Sequence, residues 1–167
     1  MQVITGCDTL QAVPSLPINA TAQATAPEFF YFSTTGGSNG NPIAAVDAVT
    51  GTYIGAAGLI SGATFTPAKA GEYLTLFATG FGATNPAFAA GVLPSGSAPV
   101  TASVSITFGG VTLDSSDILY VGLSQFAGLY QVNFHLPPNM PNGNQPVVIT
   151  LGGVSSPTEG YITVQNN

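Results

Sequence analysis

Strict alternation of apolar and polar residues is the most regular pattern in the chain. It runs through residues 72–79 (EYLTLFAT), 104–108 (VSITF) and 130–136 (YQVNFHL), and shorter runs cover residues 147–151 and 161–164. Because successive side chains of a β-strand point to opposite faces, this pattern predicts half-buried strands.

Turn signals separate these runs. Gly-Gly, Pro-Pro, Pro-Asn-Gly-Asn and Ser-Ser-Pro stand between them, and such clusters are typical of tight turns and loops. No segment combines a 3.6-residue apolar repeat with capping residues at both ends, so we expect no long helix. Many short strands with turns between them predict an all-β domain, either a sandwich or a barrel.

A short motif occurs twice. The segment ITFGGV at residues 106–111 returns as ITLGGV at residues 149–154. Glycine accepts the positive φ that a two-residue hairpin turn requires, which predicts hairpin turns at both glycine pairs. The alternative, a phosphate-binding glycine loop, needs a following helix N-terminus with a Lys or Ser/Thr partner, which this sequence does not supply. The four predicted turn residues are Gly109, Gly110, Gly152 and Gly153.

Charge is scarce in this protein. Charged residues are 5 % of its 167 residues, against roughly 25 % in an average soluble domain. Lys69 is the single Lys or Arg, and seven acids bring the formal net charge to -6. Neutralising phosphates takes several cations, so this composition excludes ordinary nucleic-acid binding and polybasic attraction to anionic lipid. Gly, Pro, Asn or Thr interrupts every long apolar stretch, so we expect no membrane span.

A surface of Ser, Thr, Asn, Gln and Gly has little charge repulsion to keep copies of the chain apart. We therefore expect part of it to be buried against other chains.

Cys7 is the only cysteine and allows no intrachain disulfide. The alternatives for Cys7 are a free or buried thiol and a cross-chain disulfide.

Few residues are candidates for catalysis or metal binding. Residues 36–40 (GGSNG) match G-x-S-x-G around Ser38, but a nucleophile elbow lies between a strand and a helix, and this segment is a polar loop. His135, the only histidine, lies in a predicted strand and points away from the apolar face, which favours a solvent-facing or intermolecular side chain over a general base. Residues 114–117 (DSSD) lack the dense alternating acids of a calcium loop and predict a polar turn. We therefore expect no catalytic residue, no metal site and no cofactor.

Several motifs follow one another in a distinctive order. They are residues 70–82 (AGEYLTLFATGFG), 84–86 (TNP), 104–111 (VSITFGGV), 127–133 (AGLYQVN), 136–137 (LP) and 142–155 (NGNQPVVITLGGVS). Through residues 61–165 this order resembles the Ig-like Solibacter C-terminal domain family of large secreted acidobacterial proteins. Residues 24–30 (ATAPEFF) and 41–55 extend the likeness more weakly. The resemblance implies an Ig-like, TIG-related β-sandwich that is exported from the cell and has no known catalytic residues.

The tyrosines favour structural roles. Tyr130, in the G-x-Y of residues 128–130, resembles a tyrosine corner, whose hydroxyl bonds to nearby backbone in Ig-like sandwiches. The other tyrosines could line a sugar-binding face. However, the chain has no Trp for a stacking platform, which favours core or interface packing.

The N-terminal stretch is apolar. Residues 3–25 are rich in Val, Ile, Leu, Ala and Thr and are divided by Pro14 and Pro17, which predicts extended segments without a hairpin partner of their own. We therefore divide the chain into an extended arm, residues 1–25, and an Ig-like β-sandwich, residues 26–167. The arm can lie along its own sheet edge or add as a strand to a neighbouring copy. Its candidate intermolecular contacts are Val3, Ile4, Cys7, Leu10, Val13, Leu16 and Ile18.

Three classes of function follow. A head-to-tail strand contact that repeats produces a filament, so the leading hypothesis is a non-catalytic structural subunit of an extracellular filament or surface assembly, with copies of itself as partners. The alternative is an Ig-like binding or adhesion module of a secreted or cell-surface protein, with a glycan such as a polysaccharide or another cell-surface partner as its ligand. A hydrolase is the third class, and no nucleophile-base-acid set supports it.

Overall fold

The computed structural model describes residues 3–5, 13–19, 21–34, 40–89 and 91–166, and these residues form strands, turns and loops but no helix. The predicted all-β fold is confirmed. In chain order the strands are β1 (Ile4–Thr5), β2 (Val13–Pro14), β3 (Glu28–Phe29), β4 (Asn41–Pro42), β5 (Ala45–Asp47), β6 (Tyr53–Ile54), β7 (Phe65–Thr66), β8 (Tyr73–Thr79), β9 (Ala98–Pro99), β10 (Val104–Phe108), β11 (Val111–Thr112), β12 (Ile118–Leu123), β13 (Tyr130–His135), β14 (Gly143–Leu151), β15 (Val154–Ser155) and β16 (Gly160–Val164).

Two mixed sheets pack against each other as a β-sandwich. The 8-stranded sheet has the order β7-β6-β5-β8-β13-β12-β9, with β3 also paired to β8. The 6-stranded sheet has the order β11-β10-β14-β16-β4, with β15 also paired to β14. Most pairs are antiparallel, whereas β6–β7 and β16–β4 are parallel.

Alternation along the central strands separates core from surface. Leu74 and Leu76 of β8 are buried. They lie opposite Phe134 and Val132 of the neighbouring strand β13, which are also buried. The residues between them point to the outer face and are only partly covered. The period-two pattern of these strands therefore places one face of the larger sheet in the core.

Aromatic and aliphatic side chains from both sheets fill the space between them. Phe108 of the 6-stranded sheet and Phe134 of the 8-stranded sheet are both fully buried, and their ring centroids lie 5.8 Å apart. Burying a side chain of this size stabilises a fold by about 1.5–3 kcal/mol. The contact between these two rings therefore contributes to the packing of one sheet on the other.

Both Gly-Gly pairs close two-residue hairpins. Gly109 and Gly110 have φ values of 59° and 83° and connect the paired residues Phe108 and Val111. Gly152 and Gly153 have φ values of 57° and 89° and stand between two paired residues in the same way. Two consecutive positive φ angles suit the right-handed twist of the flanking strands, and glycine adopts them without steric cost.

The arm pairs with itself. β1 runs antiparallel to β2, with Ile4 opposite Pro14, and the Ser15 amide donates to the Val3 carbonyl at 2.8 Å. The prediction that the arm has no hairpin partner of its own is therefore wrong. Pro14 has no N–H to donate, and a two-stranded sheet tolerates it because each strand there keeps one unpaired edge.

Residues 24–26 connect the arm to the sandwich through a close backbone contact. The Ala26 amide donates to the Gly80 carbonyl at 2.8 Å, just after β8 ends. Gly80 has a φ of 73°, and a β-carbon there would overlap the Ala26 carbonyl oxygen. The absence of a side chain at Gly80 is what lets the two backbones approach.

Candidate functional site

The outer face of the 8-stranded sheet combines aromatic rings with amide side chains. Phe77 of β8 lies opposite Gln131 of β13, and Tyr120 of β12 lies opposite Asn133 of β13. All four side chains are partly buried. Alternation within each strand directs them outward, and the register between strands brings them together.

A groove of about 850 Å³ opens over these four side chains. The loop of residues 93–97 and the segment of residues 123–126 contribute the rest of its lining. None of the described residues that line it is acidic or basic. Its volume lies within the range of about 300–1,000 Å³ that is usual for small-ligand sites.

Tyr120 is held rigidly in the groove. Its hydroxyl donates to the Leu123 carbonyl at 2.8 Å and accepts from the Ala98 amide at 3.1 Å. The ring packs over Gly122, where a β-carbon would come within 2.7 Å of the ring carbon that bears the hydroxyl. Gly122 therefore leaves the space that the Tyr120 ring occupies.

The two amides of β13 form a short hydrogen-bonded row. Asn133 Oδ1 accepts from Thr75 Oγ1 at 3.1 Å and from Gln131 Nε2 at 3.4 Å. Within the described part of the chain, no hydrogen bond involves the other two amide atoms, Asn133 Nδ2 and Gln131 Oε1. The groove thus offers one amide donor and one amide acceptor to a ligand.

Two exposed apolar side chains lie along the groove. Phe126 is 66 % exposed and Leu93 is 63 % exposed. The turn that carries Phe126 is fixed because Ser124 Oγ accepts from the Phe126 amide at 3.1 Å, and the Ser124 amide donates to the Leu129 carbonyl at 2.8 Å. The Phe126 ring is therefore presented to solvent from an ordered backbone.

His135 has an acidic neighbour but no nucleophile beside it. Its Nδ1 lies 2.9 Å from Asp117 Oδ1, and its ring centroid lies 5.0 Å from that of Tyr73. No Ser, Thr or Cys side chain among the described residues hydrogen-bonds to the ring. Ser38, the serine of the G-x-S-x-G pattern, lies outside the described residues.

The acidic segment at residues 114–117 is a turn. The Asp117 amide donates to the Asp114 carbonyl at 3.0 Å, and the Asp117 side chain faces His135. Across the described ranges, no three His, Cys, Asp or Glu side chains are close enough to hold a metal ion together.

Tyr130 bonds to distant rather than nearby backbone. Its hydroxyl donates to the Gly82 carbonyl, 48 residues earlier in the chain, and its ring packs against Phe81 with centroids 5.2 Å apart. The prediction that the Tyr130 hydroxyl bonds to nearby backbone, as in a tyrosine corner, is therefore wrong. Burial raises the pKa of the Tyr130 hydroxyl above its ordinary value, so the protonated donor is favoured.

The described apolar residues of the arm are exposed. The exposed fractions are 57 % for Val3, 51 % for Ile4, 62 % for Val13, 89 % for Leu16 and 63 % for Ile18. Cys7 and Leu10, the other candidate contacts, lie outside the described residues. The arm therefore presents a second exposed surface. This surface is apolar, whereas the groove combines aromatic and polar side chains.

No family model, curated protein or solved structure matches this chain. The described residues form a β-sandwich, a groove on its 8-stranded sheet that no charged residue among them lines, and a separate two-stranded hairpin with exposed apolar side chains. None of the described segments forms a helix of the length and apolarity needed to span a membrane.

Part of the groove could be predicted from the sequence. Alternation in residues 130–136 already directs Gln131 and Asn133 away from the core. It does not show that Tyr120 pairs beside Asn133, because β12 has a register shift between Ile118 and Tyr120. Phe126 lies in a turn that has no periodic pattern, so only its exposure in the folded chain identifies it.

Proposed function

We propose that this chain is a non-catalytic, extracellular structural protein that assembles with copies of itself through its arm. The observation that carries the proposal is the set of exposed apolar side chains on a hairpin that forms its own sheet, apart from the two sheets of the sandwich. Apolar surface of this kind gains free energy when another chain covers it.

The hairpin is too short to be stable by itself, so contact with another chain would stabilise it. Each of its strands is two residues long, and an isolated two-stranded hairpin is only marginally stable in water. Fully covering one large apolar side chain stabilises by about 1.5–3 kcal/mol. Leu16 and Ile18 follow β2, and burying them against a neighbouring copy would therefore stabilise the contact between copies.

The edges of the sandwich favour packing of the hairpin over addition of one long strand. The outer strands β7, β9, β11 and β4 are two residues long. Short edge strands offer few unpaired backbone groups to a neighbour. We therefore propose that the hairpin docks mainly through its apolar side chains, and that β-strand addition is confined to short stretches.

Composition and resemblance support the rest of the proposal. One Lys and a net charge of -6 leave a surface with few charges to oppose close packing of copies. The likeness of residues 61–165 to the Solibacter C-terminal domain supports an Ig-like sandwich, export from the cell and the absence of catalysis.

Assembly is tested by negative-stain electron microscopy and sedimentation velocity, under reducing conditions so that Cys7 cannot cross-link copies. We expect filaments or large oligomers from the full chain and monomers after deletion of residues 1–25. Leu16→Lys is expected to weaken assembly, whereas Val49→Lys, at a site 78 % exposed on the β5–β6 turn, serves as the matched control. A full chain that stays monomeric at high concentration would refute the proposal.

A further inference from the structure

We propose that the groove over β8, β12 and β13 is a binding site for a neutral oligosaccharide. None of the described arm residues lines this site, and the proposal does not depend on assembly through the arm. Its lining gives three independent indications of ligand class: its lack of charge, its pair of available amide atoms and its exposed aromatic ring.

The lack of charge excludes ionic ligands. A charged group that enters the groove loses hydration, and among the described lining residues no Lys, Arg, Asp or Glu side chain compensates for that loss. The net charge of -6 also opposes an anionic polymer. A ligand that fits this groove is therefore uncharged.

The amide row excludes a purely apolar ligand. Such a ligand would cover Asn133 Nδ2 and Gln131 Oε1 without hydrogen-bonding to them, and a buried polar atom without a partner is costly. A sugar hydroxyl donates and accepts, so two hydroxyls on one pyranose ring can satisfy both atoms. The serines at positions 95, 97 and 124 add further hydroxyls to the lining.

The aromatic ring completes the match. A pyranose has a flat C–H face that packs on an aromatic ring, and Phe126 is 66 % exposed at the groove. The hydrogen bonds of Ser124 hold its turn in place, and those of Tyr120 hold the floor. The site is therefore largely formed before a ligand arrives, which lowers the entropy lost on binding.

Isothermal titration calorimetry tests the proposal, with the full chain and soluble hexasaccharides of glucose, xylose, mannose and N-acetylglucosamine. We expect at least one of these probes to bind and polygalacturonate, which is acidic, not to bind. Phe126→Ala is expected to weaken binding about tenfold and Gln131→Ala about fivefold. Phe30→Ala is the matched control, because Phe30 is 45 % exposed and does not line the groove.

Three results would overturn the proposal. The first is no binding by any of the four neutral probes, and the second is an equal loss of binding in Phe30→Ala and Phe126→Ala. The third is binding of a synthetic peptide of residues 13–19 but of no saccharide, which would assign the groove to the arm of a second copy. Leu16→Lys leaves the groove unaltered, so its saccharide binding separates failure of the groove from failure of assembly.

Discussion

The contact between Gly80 and Ala26 allows a quantitative prediction, because it fixes the point where the arm joins the sandwich. Gly80→Ala places a methyl group where the Ala26 carbonyl oxygen lies, at a residue whose φ is 73°. Gly51→Ala is the matched control. Gly51 has nearly the same φ, 72°, but nothing lies within 4 Å of its β-carbon position.

The expected losses follow from these two environments. Both substitutions place an L side chain in the left-handed region, which costs about 1–2 kcal/mol. Gly80→Ala must also displace residues 24–26 and break the hydrogen bond from the Ala26 amide, which adds about 1 kcal/mol for the bond and about 1–3 kcal/mol for overpacking. We expect Gly80→Ala to lower the free energy of unfolding by roughly 2–4 kcal/mol more than Gly51→Ala does.

Urea unfolding measures this difference. Far-UV circular dichroism and tyrosine fluorescence report the transition, since the chain has six Tyr and no Trp. In thermal scans each 1 kcal/mol corresponds to about 2–4 °C in Tm for a chain of this length. Equal losses in the two variants would mean that residues 24–26 do not lie against Gly80, and the anchoring of the arm would have to be reconsidered.

The remaining predictions concern three tyrosines and one glycine. Tyr130→Phe removes the hydrogen bond to the loop after β8 and should lower the free energy of unfolding by about 1 kcal/mol, whereas Tyr73→Phe, an exposed position, should leave it unchanged in the same urea assay. Burial raises the pKa of Tyr31 and Tyr130 above the ordinary 10.0. The folded state then keeps protons that the unfolded state releases, so the contribution of these two tyrosines to stability should be constant well below pH 10 and fall as pH rises through and above it. Replacing both residues with Phe should flatten that decline, and an unchanged slope would assign it to other groups. A β-carbon at Gly122 would overlap the Ala98 carbonyl oxygen and lie 2.5 Å from the Tyr120 hydroxyl oxygen, so Gly122→Ala should displace both the β9 backbone and the Tyr120 ring. It should weaken saccharide binding at least as much as Gln131→Ala, and unaltered binding would show that the floor of the groove is not part of the site.

The sequence by itself determined the strand-forming character of this chain. Alternation over residues 72–79, 104–108 and 130–136 predicted β8, β10 and β13, and the two Gly-Gly pairs predicted their hairpin turns. These features depend on neighbours within a few residues, where side-chain direction and backbone φ follow from local sterics. Their number and spacing predicted an all-β sandwich or barrel, and the choice of a sandwich came from the family resemblance.

The tertiary structure decided which of these strands lie side by side and what they bring together. Tyr130 bonds to Gly82 and not to nearby backbone, because β13 lies beside β8 in the larger sheet. The groove exists because β8, β13 and β12 are neighbours in one register, with a shift in β12 that places Tyr120 opposite Asn133. Alternation tells which face of a strand a residue occupies, but pairing between distant strands depends on how all the apolar faces pack at once, and no local pattern encodes it.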